Sequence, residues 1–377
     1  MLKKLALFGA AALSLVLVGC EQETAGSSSD EVIRIAVSAP MTGNDAEFGH
    51  IFYNAAVLQA ENWNANGGVL GKQVEIVQYD DRNEPGESAL IAERLVSSGD
   101  YLAVLGPFAS GPAFTSAPIL NENEIIKITP TASHPDLTAL GEFVFRNNTT
   151  IDIEGAAMVD IAREEFEGRN IGIVSIMTEW GQTASGLIAD TVQSFDDLNL
   201  VAHEEVMEGS TDFSPTITVL EAAGVETIIF VAHYGTIGPF ARQYRAINPE
   251  INFVSLSSAY SQFLLDLGGE AVEGLKFPSI FYAGDTAPDV VDFVERFTER
   301  TGNVPSSFAA QAYDAIAMLL TAVELAETTE SRPVRDVLIG LKYTGVTGEL
   351  EYDDLGNIVL DFNRIVIRDG EFVRVGE

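Results

Sequence analysis

The chain has 377 residues, 56 Asp and Glu against 21 Lys and Arg, a formal charge of -35 and a single cysteine. So acidic a chain, with few and scattered basic side chains, excludes charge-driven binding to nucleic acid or to anionic lipid. A composition of 46% hydrophobic and 20% charged residues is that of a globular protein, and the length sets an expectation of two domains.

At the amino terminus, Met1, Lys3 and Lys4 precede an apolar run over residues 5–18, which ends in Leu17-Val18-Gly19-Cys20. The run is short for a permanent span and has the length of a secretory core. The ending resembles the lipobox of bacterial lipoproteins. That resemblance implies that residues 1–19 are a cleaved lipoprotein signal peptide and that Cys20 is lipidated. The protein is then held on the outer side of the cytoplasmic membrane or in the periplasm, unless the segment is an ordinary signal with an incidental cysteine. Loss of residues 1–19 removes two Lys and no acid, which takes the charge from -35 to -37 and leaves no free thiol once Cys20 is acylated. Residues 20–30 are small, polar and Ser-rich, as expected of a flexible tether. Beyond them no apolar run near 20 residues stands out, so no transmembrane helix is expected.

From residue 32 the pattern alternates. Strands are predicted over 33–38, 73–79, 102–105, 125–129, 170–176, 227–232 and 252–256. Between them lie helical stretches over 46–66, 87–98, 112–122, 153–165, 182–195 and 239–246. Strands apolar along their whole length, separated by helices, indicate parallel sheets covered on both faces. Two such series indicate an α/β protein of two doubly wound parallel-sheet lobes. Further helices are expected over 289–301, 307–326 and 334–341, followed by a β-rich end over 348–352, 358–368 and 371–375.

Motifs for catalysis are lacking. There is no G-x-G-x-x-G after a strand, no P-loop and no G-x-S-x-G elbow. His50, His134, His203 and His233 are far apart and form no ligand pair, and Asp80-Asp81 reads as a loop-capping pair at a strand end. No metal, no cofactor and no enzymatic activity are expected. Ligands of doubly wound sheets bind at the carboxyl ends of strands. There the chain places Ser110-Gly111-Pro112 after one strand and Thr131-Ala132-Ser133-His134-Pro135 after the next. Two hydroxyl-bearing helix starts would aim N–H groups and positive dipole ends at one point, suited to a carboxylate. The same pattern also serves ordinary capping.

At these residues the chain resembles the branched-chain amino acid (leucine/isoleucine/valine) binding proteins of ABC importers, within the type I periplasmic binding proteins. The resemblance runs through Ala39-Pro40-Met41-Thr42-Gly43, Asn66-Gly67-Gly68-Val69-Leu70-Gly71, Tyr79-Asp80-Asp81, Thr129-Pro130-Thr131-Ala132-Ser133, Phe145-Arg146 and Gly348-Glu349-Leu350. It implies a three-crossover hinge, with lobe one formed by residues 31–150 and 281–357 and lobe two by residues 151–280 and 358–377. It implies that Ser110, Thr131 and Ser133 hold a ligand carboxylate, and that Phe48, Trp180, Tyr234 and Phe308 enclose an apolar body. The other end would be set by His233, Ser257 and Asp152. Where relatives carry an acid against a ligand ammonium, this chain has Ser257, and the acid near the first crossover aligns with Ile151. Either Asp152 takes that role or the ligand lacks an ammonium. The cysteines of some relatives' disulfide are replaced by Asn83 and Ala109.

The function so implied is that of a monomeric, lipid-anchored solute-binding protein that presents a small carboxylate-bearing ligand to an ABC permease. The ligand is a branched-chain or other hydrophobic amino acid, or else an aromatic or aliphatic acid or amide. A ligand-sensing partner of a signalling receptor is the reading from another class.

Overall fold

The computed structural model describes residues 32–377, so the expected signal segment, Cys20 and the expected tether lie outside the described residues. The first half runs β1 (Val32–Ala39), α1 (Ala46–Ala65), β2 (Gln73–Asp80), α2 (Pro85–Ser98), β3 (Tyr101–Leu105), α3 (Ser110–Glu122), β4 (Ile126–Thr129) and β5 (Val144–Arg146). These strands form one parallel sheet in the order β2-β1-β3-β4-β5, and β3 and β4 are buried almost throughout. That burial is why their sequences YLAVL and IKIT carry so little polar alternation.

The chain then crosses over into α4 (Ile151–Glu165), β6 (Asn170–Ile176), α5 (Glu179–Gln193), β7 (Asn199–Val206), α6 (Ser214–Ala223), β8 (Thr227–Val231), α7 (Tyr234–Arg245), β9 (Asn252–Val254), α8 (Gln262–Gly268) and β10 (Lys276–Ser279). It returns through α9 (Pro288–Thr301), α10 (Ser307–Ala326), α11 (Ser331–Gly340) and the ribbon of β11 (Lys342–Gly345) and β12 (Gly348–Glu351). A last passage leads to β13 (Asn363–Arg368) and β14 (Glu371–Arg374). The second sheet has the order β14-β13-β10-β9-β8-β6-β7: five parallel strands, with β13 and β14 added antiparallel on one edge. Residues 358–362, expected as part of a strand, lie outside both sheets because this stretch is the third passage between them.

Helix α10 corrects one expectation. By length and composition it is apolar enough to cross a membrane, yet most of it is buried within the fold. Its burial against α1 explains the apolar sequence without a bilayer. Both sheets change winding direction beside their first strand, between β1 and β3 in one and between β6 and β8 in the other. The crevices at these switch points are where a ligand site is expected.

The passages between sheets are tied by polar side chains. Asn147 Nδ2 donates to the Gln311 carbonyl at 2.7 Å, Gln311 Nε2 donates to Asn148 Oδ1 at 2.7 Å, and Asn148 Nδ2 donates to the Thr131 carbonyl at 3.0 Å. Arg146, fully buried, donates to the His134 and Pro135 carbonyls and to Asn357 Oδ1, joining a site loop to the third passage.

Candidate ligand-binding site

On the first lobe the wall begins at Gly106. Its φ is +113°, and a Cβ there would lie 2.0 Å from the Ser38 carbonyl oxygen, so only glycine lets the chain turn this close to β1. The loop then delivers Phe108 and Ala109 to the start of α3, where Ala109 is the N-cap and Ser110 the first helical residue. The Ser110 hydroxyl therefore does not cap its own helix; it accepts from the His134 backbone N–H at 3.3 Å and keeps its proton.

The loop after β4 differs from expectation. It leads into a six-residue 3-10 turn, Pro135–Leu140, capped by His134 Nδ1 accepting from Asp136 N–H at 3.2 Å. On the first lobe one α-helix start, not two, therefore faces the cleft. The Thr131 hydroxyl donates to the Phe108 carbonyl at 2.7 Å, so its proton is spent on holding the neighbouring loop. What remains for a ligand are backbone donors: among the described residues, no protein acceptor takes the N–H groups of Ser110, Gly111, Thr131 or Ser133.

On the second lobe, Thr178 Oγ1 caps α5 by accepting from Gly181 N–H at 3.0 Å. A Cβ on Gly181 would lie 2.1 Å from the Ile176 carbonyl oxygen, so glycine is what allows the tight entry that projects Trp180. The Trp180 indole stacks on His233 at 5.5 Å and 10°, and its Nε1 donates across the cleft to Ser133 Oγ at 3.0 Å. His233, at the N-cap of α7, has a buried Nδ1 without a partner, and burial holds its pKa below the usual range against the pull of Asp45.

Ser257 follows β9, and its N–H donates at 2.7 Å to Oε1 of Glu154, in the first turn of α4. Burial pushes the Glu154 carboxyl up from its ordinary pKa, and the Ser257 N–H and hydroxyl oppose that.

These parts enclose a cavity of about 250 Å³ between the lobes. Of the residues expected there, Ser110, Thr131, Ser133, Trp180, His233, Ser257 and Phe308 line it. Phe48, Tyr234 and Asp152 do not. Phe48 is buried one layer back, stacked on Phe108 at 4.2 Å and 8°, so that Phe108 presents the aromatic face. Tyr234 packs on Phe48 and Phe263, its hydroxyl beside Glu47. Asp152 is exposed, because it sits two residues before the inward-facing Glu154 on α4.

The residues sequence reasoning missed are Glu154, Phe108 and Asn148 in particular, with Glu179 and Glu208 also on the lining. Helical phase could have found Glu154: if Ile151 is inside, the residue three further on shares its face. No Lys or Arg lines the cavity, and among the described residues no group of His, Cys, Asp or Glu is placed to hold a metal.

A sequence profile of the periplasmic binding protein family matches residues 32–359. A leucine-, isoleucine-, valine-, threonine- and alanine-binding protein of Pseudomonas aeruginosa is 24% identical over 333 residues, 88% of each chain. Among solved structures, a leucine-binding protein of Thermotoga maritima superposes with a TM-score of 0.83 at 26% identity, covering 91% of this chain and 97% of that one. A Rhodospirillum rubrum protein provisionally assigned as a branched-chain amino acid ABC transporter is 30% identical, with a TM-score of 0.70, over 91% of this chain and 100% of that one.

Proposed function

The chain belongs to the periplasmic binding protein family, and from that premise we propose that it captures a small carboxylate-bearing ligand between its lobes and delivers it to an ABC importer. The observation that carries the reading is the first-lobe wall. There, unused N–H groups at Ser110, Gly111, Thr131 and Ser133 and the Ser110 hydroxyl face a cavity otherwise walled by Phe108, Trp180, Leu256 and Phe308. An apolar chamber with a few convergent donors suits a ligand with one anionic end and a hydrophobic body. The relatives are named for binding leucine, isoleucine, valine, threonine and alanine, most of which have that form, and a hydrophobic amino acid is the favoured ligand here. Phe48 and Tyr234 support this chamber from behind, while the Thr131 hydroxyl positions the Phe108 loop.

The family places the protein outside the cytoplasm. We assign residues 31–150 with 281–357 to one lobe and 151–280 with 358–377 to the other, a division that the strand membership of the two sheets supports. Anchoring through a lipidated Cys20, with residues 20–30 as tether, is part of the same proposal and rests on the sequence of the amino terminus. A thermal-shift screen tests the reading, since a ligand that binds only the folded state raises the melting temperature. Hydrophobic amino acids should raise it and neutral sugars should not. The opposite result rules the assignment out.

A further inference from the structure

Glu154 is a buried carboxylate on the second-lobe wall of the cavity, with the Ser257 N–H at 2.7 Å from its Oε1. Every other ionisable side chain on the lining is a carboxylate or an imidazole: Glu179, Glu208 and His233. His233 does not offer a full positive charge, because its ring is enclosed and burial disfavours the protonated form. Arg146 donates to carbonyls in the crossover and is not on the lining. A buried carboxylate facing a chamber with no cation is poorly compensated by the N–H and hydroxyl of a single serine, Ser257, and a cation that enters from outside would complete it. The donors for a ligand's anionic end lie on the opposite, first-lobe wall. The two walls thus present opposite demands to one molecule.

Building on the reading above, we propose that Glu154 is the acceptor for a ligand ammonium group, and that the protein thereby selects zwitterionic α-amino acids over carboxylic acids of the same carbon skeleton. In this arrangement Ser257 serves as the brace: its N–H fixes Oε1 and so orients the carboxylate that lines the cavity. Asp152 has no part in it, being exposed two residues away. Because the carboxylate comes from the helix after the first crossover, ligand binding pulls that helix and the first-lobe donors towards one another. The same charge pair then contributes both to selectivity and to closure.

The test is calorimetric titration of the full chain and its Glu154→Gln variant with L-leucine and with 4-methylpentanoate, which is leucine without the ammonium. Glutamine keeps an oxygen for the Ser257 N–H. Wild type should prefer L-leucine by about 100-fold or more, and Glu154→Gln should lose that preference while binding 4-methylpentanoate at least as well as wild type does. Retention of L-leucine affinity within threefold in a folded Glu154→Gln overturns the assignment. So does a wild-type protein that binds 4-methylpentanoate as tightly as L-leucine, a comparison that needs no variant and leaves the carboxylate reading standing. If wild type binds no carboxylate at all, the underlying reading fails and this one with it.

Discussion

Ser110 is available to a ligand because its hydroxyl is not used to cap its own helix, and its proton, like that of Ser133, is not committed to another acceptor among the described residues. Ser110→Ala should weaken carboxylate binding by about 10-fold or more, the usual loss for a hydrogen bond to a charged group, with an unchanged melting temperature for the free protein. Isothermal titration beside a thermal melt reads both. Thr131→Val should lower both affinity and stability, since its hydroxyl proton holds the Phe108 carbonyl.

Away from the site, burial pushes the Asp314 carboxyl up to about 6, against three hydrogen bonds from Val346 N–H, Thr347 N–H and the Thr347 hydroxyl. Between its unfolded value near 3.8 and about 6 the folded state holds the proton and the unfolded state does not. The Asp314 contribution to stability is therefore full at the acid end of that window and is lost as pH rises through about 6. Carboxyl-carbon NMR should find an aspartate titrating near 6 whose signal is lost in Asp314→Asn; if no signal titrating near 6 is lost in that variant, the burial argument fails.

At this scale the sequence showed the donor-bearing positions clearly, because Ser, Thr, Gly and Pro after an apolar strand mark a helix start. It did not show Glu154. An acid in the first turn of a helix reads as favourable to the helix dipole wherever it points, and only the phase relative to Ile151 separates it from Asp152.

Among the elements, the tight turns after β3 and β6 set the site. Gly106→Ala would need a Cβ 2.0 Å from the Ser38 carbonyl oxygen at a φ of +113°, so the loop must move away from β1. The expected result is a loss of melting temperature together with loss of ligand binding, whereas Gly111→Ala, with only the Pro85 ring at 3.8 Å, should leave stability near that of wild type. Equal stability of the two variants would contradict the turn argument.

Central elements were legible from sequence to within a few residues, as in β6 and α10, because burial on both faces leaves continuous apolar runs. The strands that sequence did not reveal have physical reasons to be silent. β5 is three residues long, β7 lies at a sheet edge with only Val206 buried, and β10 contains a proline in KFPS. α7 begins at Tyr234, five residues before the sequence pattern suggested, because Gly235, Gly238 and Pro239 weaken the helical signal of its first turns. That early start matters, since it puts His233 at the N-cap and on the cavity wall.

For the whole molecule, the charge of -35 and the anionic end of the proposed ligand are opposed in sign. Attraction must then come from local donors inside the cleft, where screening is weak, and not from the field of the surface. Those donors lie within reach of the second lobe: Trp180 bonds to Ser133 across the gap, and Ser261 Oγ donates to Glu47 Oε1 at 3.2 Å. The polar network through Asn147, Asn148 and Gln311 ties the first passage to α10 and to the Thr131 loop, so hinge and site share side chains. A ligand held by both walls favours the closed arrangement by its differential affinity for it. The most direct measurement of this account is a calorimetric comparison of L-leucine with L-leucinamide, which keeps the ammonium and the side chain but replaces the carboxylate by a neutral amide. Leucine should bind about 100-fold more tightly or better, as expected when a charge-assisted set of hydrogen bonds is lost. Leucinamide binding as well as leucine would contradict it.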